Sequence, residues 1–172
     1  IVERLLHVKV SRIVYPELEK QIAPFYTTKG VRLDVYLKDE DKIIDIEIQC
    51  YKLPSLGKRT RYYQSMIDID SLMKGEPYSK LKESYILFIC KNDPFEDFGL
   101  PCYTFYNTCK ENPLVNLNDK SIKVIYNASA YKKEKNVRIR ELLHFIWTND
   151  AGKDDFSNRL SSIVERLKDN EK

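Results

Sequence analysis

Four polar side chains, Asp34, Asp45, Glu47 and Gln49, fall within two short runs of strict alternation. In the run from Gly30 to Lys38, Val31, Leu33, Val35 and Leu37 share one face. In the run from Lys42 to Cys50, Ile44, Ile46, Ile48 and Cys50 do the same. A period of two is the mark of a β-strand. The opposite faces carry Arg32, Asp34, Tyr36 and Lys38 on the first run, and Ile43, Asp45, Glu47 and Gln49 on the second. Asp39-Glu40-Asp41 lies between them, so the two runs predict an antiparallel hairpin. If both apolar faces point to one core, paired residue numbers have an odd sum. The tightest such register sums to 81 and makes Glu40-Asp41 a two-residue turn. It sets Lys38 opposite Ile43, Tyr36 opposite Asp45, Asp34 opposite Glu47 and Arg32 opposite Gln49. A slip of one residue would turn the isoleucines outward, so the register is strongly specified.

Two carboxylates are then directly opposed, with Cβ atoms about 5 Å apart, and like charges in that position repel. Asp45 adds a third acid on the diagonal. A divalent cation offsets such repulsion, and hard oxygen ligands at this separation suit Mg²⁺, which takes one or two carboxylates and keeps several waters. The other reading is a solvated acidic face neutralised by Arg32, Lys38 and Lys42. The segment after the hairpin bears on the choice. It carries Lys52, Lys58, Arg59 and Arg61, interleaved with Tyr51, Tyr62 and Tyr63, and no acid occurs from Ile48 to Ile67. Cations beside a metal-ready carboxylate pair suit a phosphodiester, whose backbone they attract while a metal activates water.

The elements that must hold these residues are readable around them. Ile1 to Val8 predicts the end of an amphipathic helix, and Arg12 to Ala23 an extended run broken by Pro16. Lys52 to Lys58 is a loop with Pro54 and Gly57. Arg59 to Lys74 predicts a helix with Tyr62, Met66, Ile69 and Met73 inward and Gly75 as its stop. Tyr85 to Cys90 is a continuous apolar run suited to a strand buried on both faces. Short strands come next at Tyr103–Tyr106 and Ile122–Tyr126, then helices at Asn136–Thr148 and Asp154–Leu167. Asp93-Pro94-Phe95 reads as a turn with a hydrophobic plug, and His144 as a packing residue near Trp147. The order predicts one α/β domain over residues 1–172, with a mixed central sheet flanked by helices.

The 172 residues, 42% hydrophobic and 32% charged, exclude wholesale disorder and a fibrous repeat. Nothing approaches 18 consecutive apolar residues, so no membrane span is expected. The chain opens on Ile1 in what reads as mid-helix, so a native segment is expected to precede it. The net charge of +3 is too weak to name a partner, but a second basic cluster, Lys132, Lys133, Lys135, Arg138 and Arg140 against Glu134 alone, stands late in the chain. Cys50, Cys90, Cys102 and Cys109 include no Cys-x-x-Cys, which disfavours structural zinc. Reduced thiols at Cys50 and Cys90 suit a cytoplasmic setting.

At these residues the chain resembles the PD-(D/E)XK nuclease superfamily. Within it the surrounding residues resemble one branch, the Rpn-type recombination-promoting nucleases, also labelled PD-(D/E)XK family transposases. The matching stretches are Gly30-Val31-Arg32-Leu33-Asp34-Val35, Ile46-Glu47-Ile48-Gln49 and Arg59-Thr60-Arg61-Tyr62-Tyr63-Gln64. Further on they are Ile89-Cys90-Lys91-Asn92-Asp93-Pro94-Phe95, Leu100-Pro101-Cys102-Tyr103-Thr104-Phe105 and Glu141-Leu142-Leu143-His144-Phe145. The resemblance implies a restriction-endonuclease-like core and Mg²⁺-dependent cleavage of double-stranded DNA, with Mn²⁺ as an alternative ion and a homodimer on DNA as a candidate assembly. It implies Asp34 and Glu47 as the acids of the motif, with the carbonyl of Ile48 completing the metal shell. Leu33 stands where the motif has proline, and Gln49 where it has lysine. A neutral amide can orient the attacking water but cannot act as base or cation. Arg32, Lys52 or Arg59 could supply the missing charge. Tyr63 and Gln64 occupy positions where related nucleases contact substrate, and with Arg32, Lys52, Lys58, Arg59 and Arg61 they form the expected DNA-binding set. The opening segment of the family, absent here, can carry a further acid, for which Glu3 is the helical candidate.

Three readings stand. The first is a metal-dependent DNA endonuclease linked to recombination or mobile elements, with catalytic Asp34, Glu47 and Gln49. The second is a DNA-binding protein that keeps the fold without turnover. The third is an interaction scaffold whose acidic face is solvated.

Overall fold

The structure, a computed structural model, describes residues 2–10, 15–24, 29–51, 54–96 and 98–150. The expected helix Asp154–Leu167 and the cation Lys52 lie outside the described residues. In chain order the elements are α1 (Val2–Leu6), β1 (Tyr15–Ile22), β2 (Val31–Lys38), β3 (Lys42–Gln49), α2 (Leu56–Ser71), β4 (Glu83–Cys90), β5 (Cys102–Phe105), β6 (Ser121–Asn127) and α3 (Val137–Thr148). Two 3-10 turns, Tyr78–Lys80 and Ala128–Lys133, join them. The six strands form a mixed sheet in the order β1-β2-β3-β4-β6-β5.

The hairpin takes the register read from its alternation, with Lys38 opposite Ile43, Tyr36 opposite Asp45 and Val35 opposite Ile46. The Asp39 amide donates to the Lys42 carbonyl at 2.9 Å and closes the turn. At one end of the neighbouring pair the Glu83 amide donates to the Asp41 carbonyl, and at the other the Lys91 amide donates to the Gln49 carbonyl. The two strands advance together, so β3 and β4 are parallel, and α2 is their crossover helix. The extended run broken by Pro16 becomes edge strand β1, with Pro16 paired to Leu37. An edge strand tolerates proline because one of its sides needs no ladder donors.

The described residues group into two compact units. One takes those within 2–48, 54–88 and 104–124; the other takes those within 49–51, 89–103 and 125–150. The first contains the hairpin and α2. The second contains α3 and the 3-10 turn before it. There α3 buries Ile139, Leu142, Leu143, Phe145 and Ile146, and its Asn136 cap accepts from the amides of Arg138 and Ile139.

Two expectations change. The helix after the hairpin is rotated: it buries Leu56, Thr60, Tyr63, Gln64, Met66 and Ile67, while Tyr62, Ile69 and Met73 are exposed. Of the stripe that hydrophobic spacing selects, only Met66 is buried, because this helix also turns polar side chains inward. The other change concerns the acidic face of the hairpin. It is not solvated: Tyr36, Ile43, Asp45 and Glu47 are all buried, as are Leu33, Leu37 and Ile44 on the opposite face. As expected, β4 is buried along nearly its whole length, from Ser84 to Cys90.

Candidate active site

The carboxylates sit where edge-strand pairing is interrupted. Since Asp39 and Lys42 form a hydrogen-bonded pair, alternation along the hairpin turns the Asp34 amide away from β3 and toward β1. The β1 ladder passes from Leu18–Val35 to Lys20–Leu33 and skips the pair between them. Glu19, opposite Asp34 in that gap, has φ of 57°, in the left-handed region that non-glycine residues seldom occupy. The Asp34 amide instead donates to Glu47 Oε1 at 2.9 Å. A carboxylate of β3 thus reaches across to the backbone of β2, beside the Asp34 side chain.

The second oxygen of Glu47 faces α2. Arg59 Nη2 lies 3.8 Å from Glu47 Oε2. Arg59 is itself aimed by Tyr63, one helical turn on: Arg59 Nε and Nη2 donate to Tyr63 Oη at 3.0 and 2.6 Å. The guanidinium carbon stands 5.1 Å from the Tyr63 ring centroid, within cation–π range. Tyr63 is fixed in turn by burial and by the ring of Phe88, 6.1 Å away. The i, i+4 spacing of Arg59 and Tyr63 puts both on one helix face, and their buried neighbours press that face onto the hairpin.

This environment makes Glu47 a weak acid. With 1% exposure, its carboxyl is pushed up to about 8, first by burial and then by the Asp34 charge, with the Asp34 amide, Arg59 and Arg32 opposing. Asp45 is fully buried and its acidity is weakened in the same direction, by burial, then Glu47, then Asp34. Neither Asp45 oxygen has a hydrogen-bond partner, nor do Tyr36 Oη and Gln64 Oε1. Burial and the neighbouring carboxylates thus favour the neutral form of Asp45. Burial and the Glu47 charge also push the Tyr63 hydroxyl up to about 12, so it stays protonated.

The remaining expected residues are spread more widely. Arg32, Lys58 and Arg61 are exposed. Tyr63 and Gln64, expected at the DNA, are buried: Tyr63 holds Arg59, and Gln64 Nε2 donates to Asp68 Oδ1 and Ser84 Oγ. Ile48 and Gln49 are half-buried at the end of β3, and the Gln49 carbonyl accepts the Lys91 amide. Glu3 accepts the Val10 amide in an exposed local contact. Asp93 is a turn organiser, accepting from the amides of Phe95 and Gly99 and from Tyr103 Oη, while Phe95 packs edge-on against Tyr103. His144 packs on Tyr131, with ring centroids 4.8 Å apart. Sequence reasoning offered no signal for the Glu19 distortion. The i, i+4 spacing of Arg59 and Tyr63 is legible in the sequence, but the hydrogen bonds that join them are set by the burial of Tyr63.

Among the described residues no group of three or more His, Cys, Asp or Glu side chains is arranged to hold a metal. The donor chemistry still fits a hard divalent ion: Mg²⁺ needs only one or two carboxylates with water, and half-buried Asp34 beside Glu47 offers that. Nor is any helix among the described residues long and apolar enough to cross a membrane.

A six-stranded mixed sheet flanked by helices, with an Asp and a Glu-x-Gln brought together on adjacent strands, defines a restriction-endonuclease-like nuclease fold. Comparison with known protein families matches residues 4–164 to the PD-(D/E)XK nuclease family transposases, and the chain belongs to that family. No curated protein and no solved structure matches it.

Proposed function

We propose that the protein is a metal-dependent endonuclease that hydrolyses phosphodiester bonds of double-stranded DNA in recombination or the movement of mobile elements. The observation that carries this reading is Glu47. It is buried, held by the Asp34 amide on one side, and reached by a guanidinium on the other. A carboxylate kept for stability alone would not sit buried beside two further acids. Asp34, Glu47 and the Ile48 carbonyl would hold the ion, Mg²⁺ or Mn²⁺. Bound there, the cation supplies water activation and neutralises charge developing on the leaving oxygen.

The other roles belong to this chain's own groups. Gln49 orients the attacking water through its neutral amide. Arg59 supplies the positive charge that the motif's lysine would have brought, and its pairing with Glu47 favours it over Arg32 or Lys52 for that role. Arg32, Lys58 and Arg61, all exposed, meet backbone phosphates, and Lys52 belongs to the same set by sequence. Tyr63 and Gln64 serve the site from beneath, as supports of Arg59 and α2. A double-strand break requires two such centres, which a homodimer on DNA provides. Cys50, Cys90, Cys102 and Cys109 form no disulfide, in keeping with a cytoplasmic setting.

Gln49 favours the alternative of a DNA-binding protein that retains the fold without turnover. Nicking of supercoiled plasmid by wild type, Asp34→Ala and Glu47→Ala, with Mg²⁺, Mn²⁺ or EDTA, separates the two. Metal-dependent nicking lost in both variants supports the nuclease. Tight duplex binding without nicking by wild type supports the binder.

A further inference from the structure

We propose a second nucleic-acid contact, separate from the carboxylate site: the corner formed by the 3-10 turn Ala128–Lys133 and the first turn of α3, which takes backbone phosphates of duplex DNA. The proposal rests on the reading that duplex DNA is the substrate. Five cations, Lys132, Lys133, Lys135, Arg138 and Arg140, fall within nine residues against one acid, Glu134. Lys132, Lys133, Lys135 and Arg138 are exposed, and Arg140 is half-buried. Among the described residues none of the five makes a salt bridge; those found are Lys20 with Glu17 and Asp70, Arg59 with Glu47, and Lys80 with Glu76. The one local carboxylate, Glu134, is turned to the Asn136 amide at 2.8 Å.

The arrangement runs against helix electrostatics. The N-terminal end of a helix carries partial positive charge and favours acids. The first turn of α3 has none, and Arg138 stands in it. Cations concentrated at the positive end of a helix repel one another and the dipole, and an external anion relieves both. The backbone amides are not the attraction, since Asn136 already takes those of Arg138 and Ile139. The corner is also stiff. Asn127 caps the 3-10 turn through Ser129, Tyr131 packs on His144 of α3, and Lys133 Nζ donates to the Gly99 carbonyl at 2.7 Å. Cations carried on a held backbone lose less entropy on meeting a regular array of phosphates, such as a duplex presents. A lipid surface fits less well. Of residues 132 to 138 only Val137 is apolar, and membrane-surface segments add an apolar face to their charge.

The test measures duplex binding by fluorescence anisotropy in EDTA, so cleavage plays no part, across a salt series. The corner variant is Lys132→Gln/Lys135→Gln/Arg138→Gln, three exposed side chains. Its control, Lys29→Gln/Lys74→Gln/Lys110→Gln, makes the same charge change at other exposed positions. A phosphate contact contributes about 0.9 to the slope of log K against log salt. The corner variant should therefore lose roughly two to three from the slope and bind at least about tenfold more weakly near 0.1 M salt, and the control should bind like wild type. The charge-conserving Lys132→Arg/Lys135→Arg should keep the wild-type slope, which separates charge from misfolding. Equal slopes for the corner variant and wild type overturn the proposal while leaving the carboxylate site standing. Tighter binding of wild type to phosphatidylserine vesicles than to duplex also overturns it. If wild type fails to bind duplex at all, the proposal falls together with the DNA reading.

Discussion

The protein concentrates like charge in two places and treats it in opposite ways. On the hairpin beneath α2, Asp34, Asp45 and Glu47 are brought together and two of the three are fully buried. At the start of α3, five cations are gathered and four face solvent. Exposed charges are screened within about 8–10 Å at physiological salt, so solvent softens, without removing, the repulsion within the basic corner. The buried acids have no such relief. They are managed by a backbone amide, by one guanidinium, and by burial that favours the neutral form of the most buried member. The contrast suggests different functions: a solvated cluster suits delocalised attraction to a polyanion, whereas a desolvated one suits a single ion held at a fixed point.

That contrast is sharpest in cleavage. Asp34→Ala and Glu47→Ala should each reduce metal-dependent plasmid nicking by at least about a hundredfold, the scale of losing metal-assisted water activation. Urea denaturation without metal should find Asp34→Ala as stable as wild type or more so, because a like-charge contact is relieved, whereas Glu47→Ala also takes the acceptor from the Asp34 amide and the partner from Arg59 and should lose about 1–2 kcal/mol. Wild-type cutting by Asp34→Ala, or a loss of several kcal/mol in apo Asp34→Ala, would mean that the acids are structural.

Arg59 comes next. Arg59→Met keeps the aliphatic stem and removes the fork, leaving Glu47 buried without its opposite charge. Nicking should fall at least tenfold. Stability should fall by about 1–2 kcal/mol, below the roughly 3–5 kcal/mol of a broken buried pair, because Arg59 is partly solvated and the pair spans 3.8 Å. Arg59→Lys should recover less than half of the activity, since one ammonium cannot meet Tyr63 and Glu47 as a planar fork does.

The buried acids also predict a pH dependence with a definite sign. The Glu47 carboxyl rises from 4.5 to about 8 on folding. Between those values the folded protein holds more protons than the unfolded chain, so apo stability falls as pH climbs from about 4.5 to about 8. Asp45 acts in the same direction. Glu47→Gln should flatten that slope, and Asp45→Asn should flatten it further while changing stability little at about pH 5. Urea midpoints for the three proteins from about pH 4.5 to about pH 8.5 provide the check. A wild-type midpoint that rises across this window would show the acids to be charged and compensated.

The smallest effects are expected at the supports. Tyr63→Phe keeps the ring on Phe88 and removes only the oxygen that receives Arg59. Nicking should drop several-fold and stability by about 1 kcal/mol, the worth of a typical hydrogen bond. Gln49→Lys should raise nicking if Arg59 compensates only in part for the motif's lysine. No gain would indicate that the guanidinium already supplies the charge in full.

Much of this molecule was set by local pattern. Alternation at Val31–Leu37 and Ile44–Cys50 dictated the hairpin, and the parity of the two faces dictated its register, since only one pairing keeps the isoleucines inward. The paired residues run only from Lys38–Ile43 to Val35–Ile46; beyond them Asp34 and Glu47 meet through the Asp34 amide and the Glu47 side chain. The apolar run at Tyr85–Cys90 and the Asn136 cap before α3 were equally local. What the sequence could not decide was which face each element turns to its neighbours. The hairpin is covered on both sides, so its acidic face is an interior. The helix after it turns Thr60, Tyr63 and Gln64 inward and leaves Tyr62, Ile69 and Met73 in water. Those choices depend on contacts across the chain: an arginine that a carboxylate pulls toward the sheet, and a tyrosine that must hold it. The left-handed turn of Glu19 that frees the Asp34 amide is likewise a product of pairing between strands, with no glycine or asparagine to announce it. Local periodicity placed the reactive groups side by side; only packing decided that they would be dry, and dryness gives them their altered acidity.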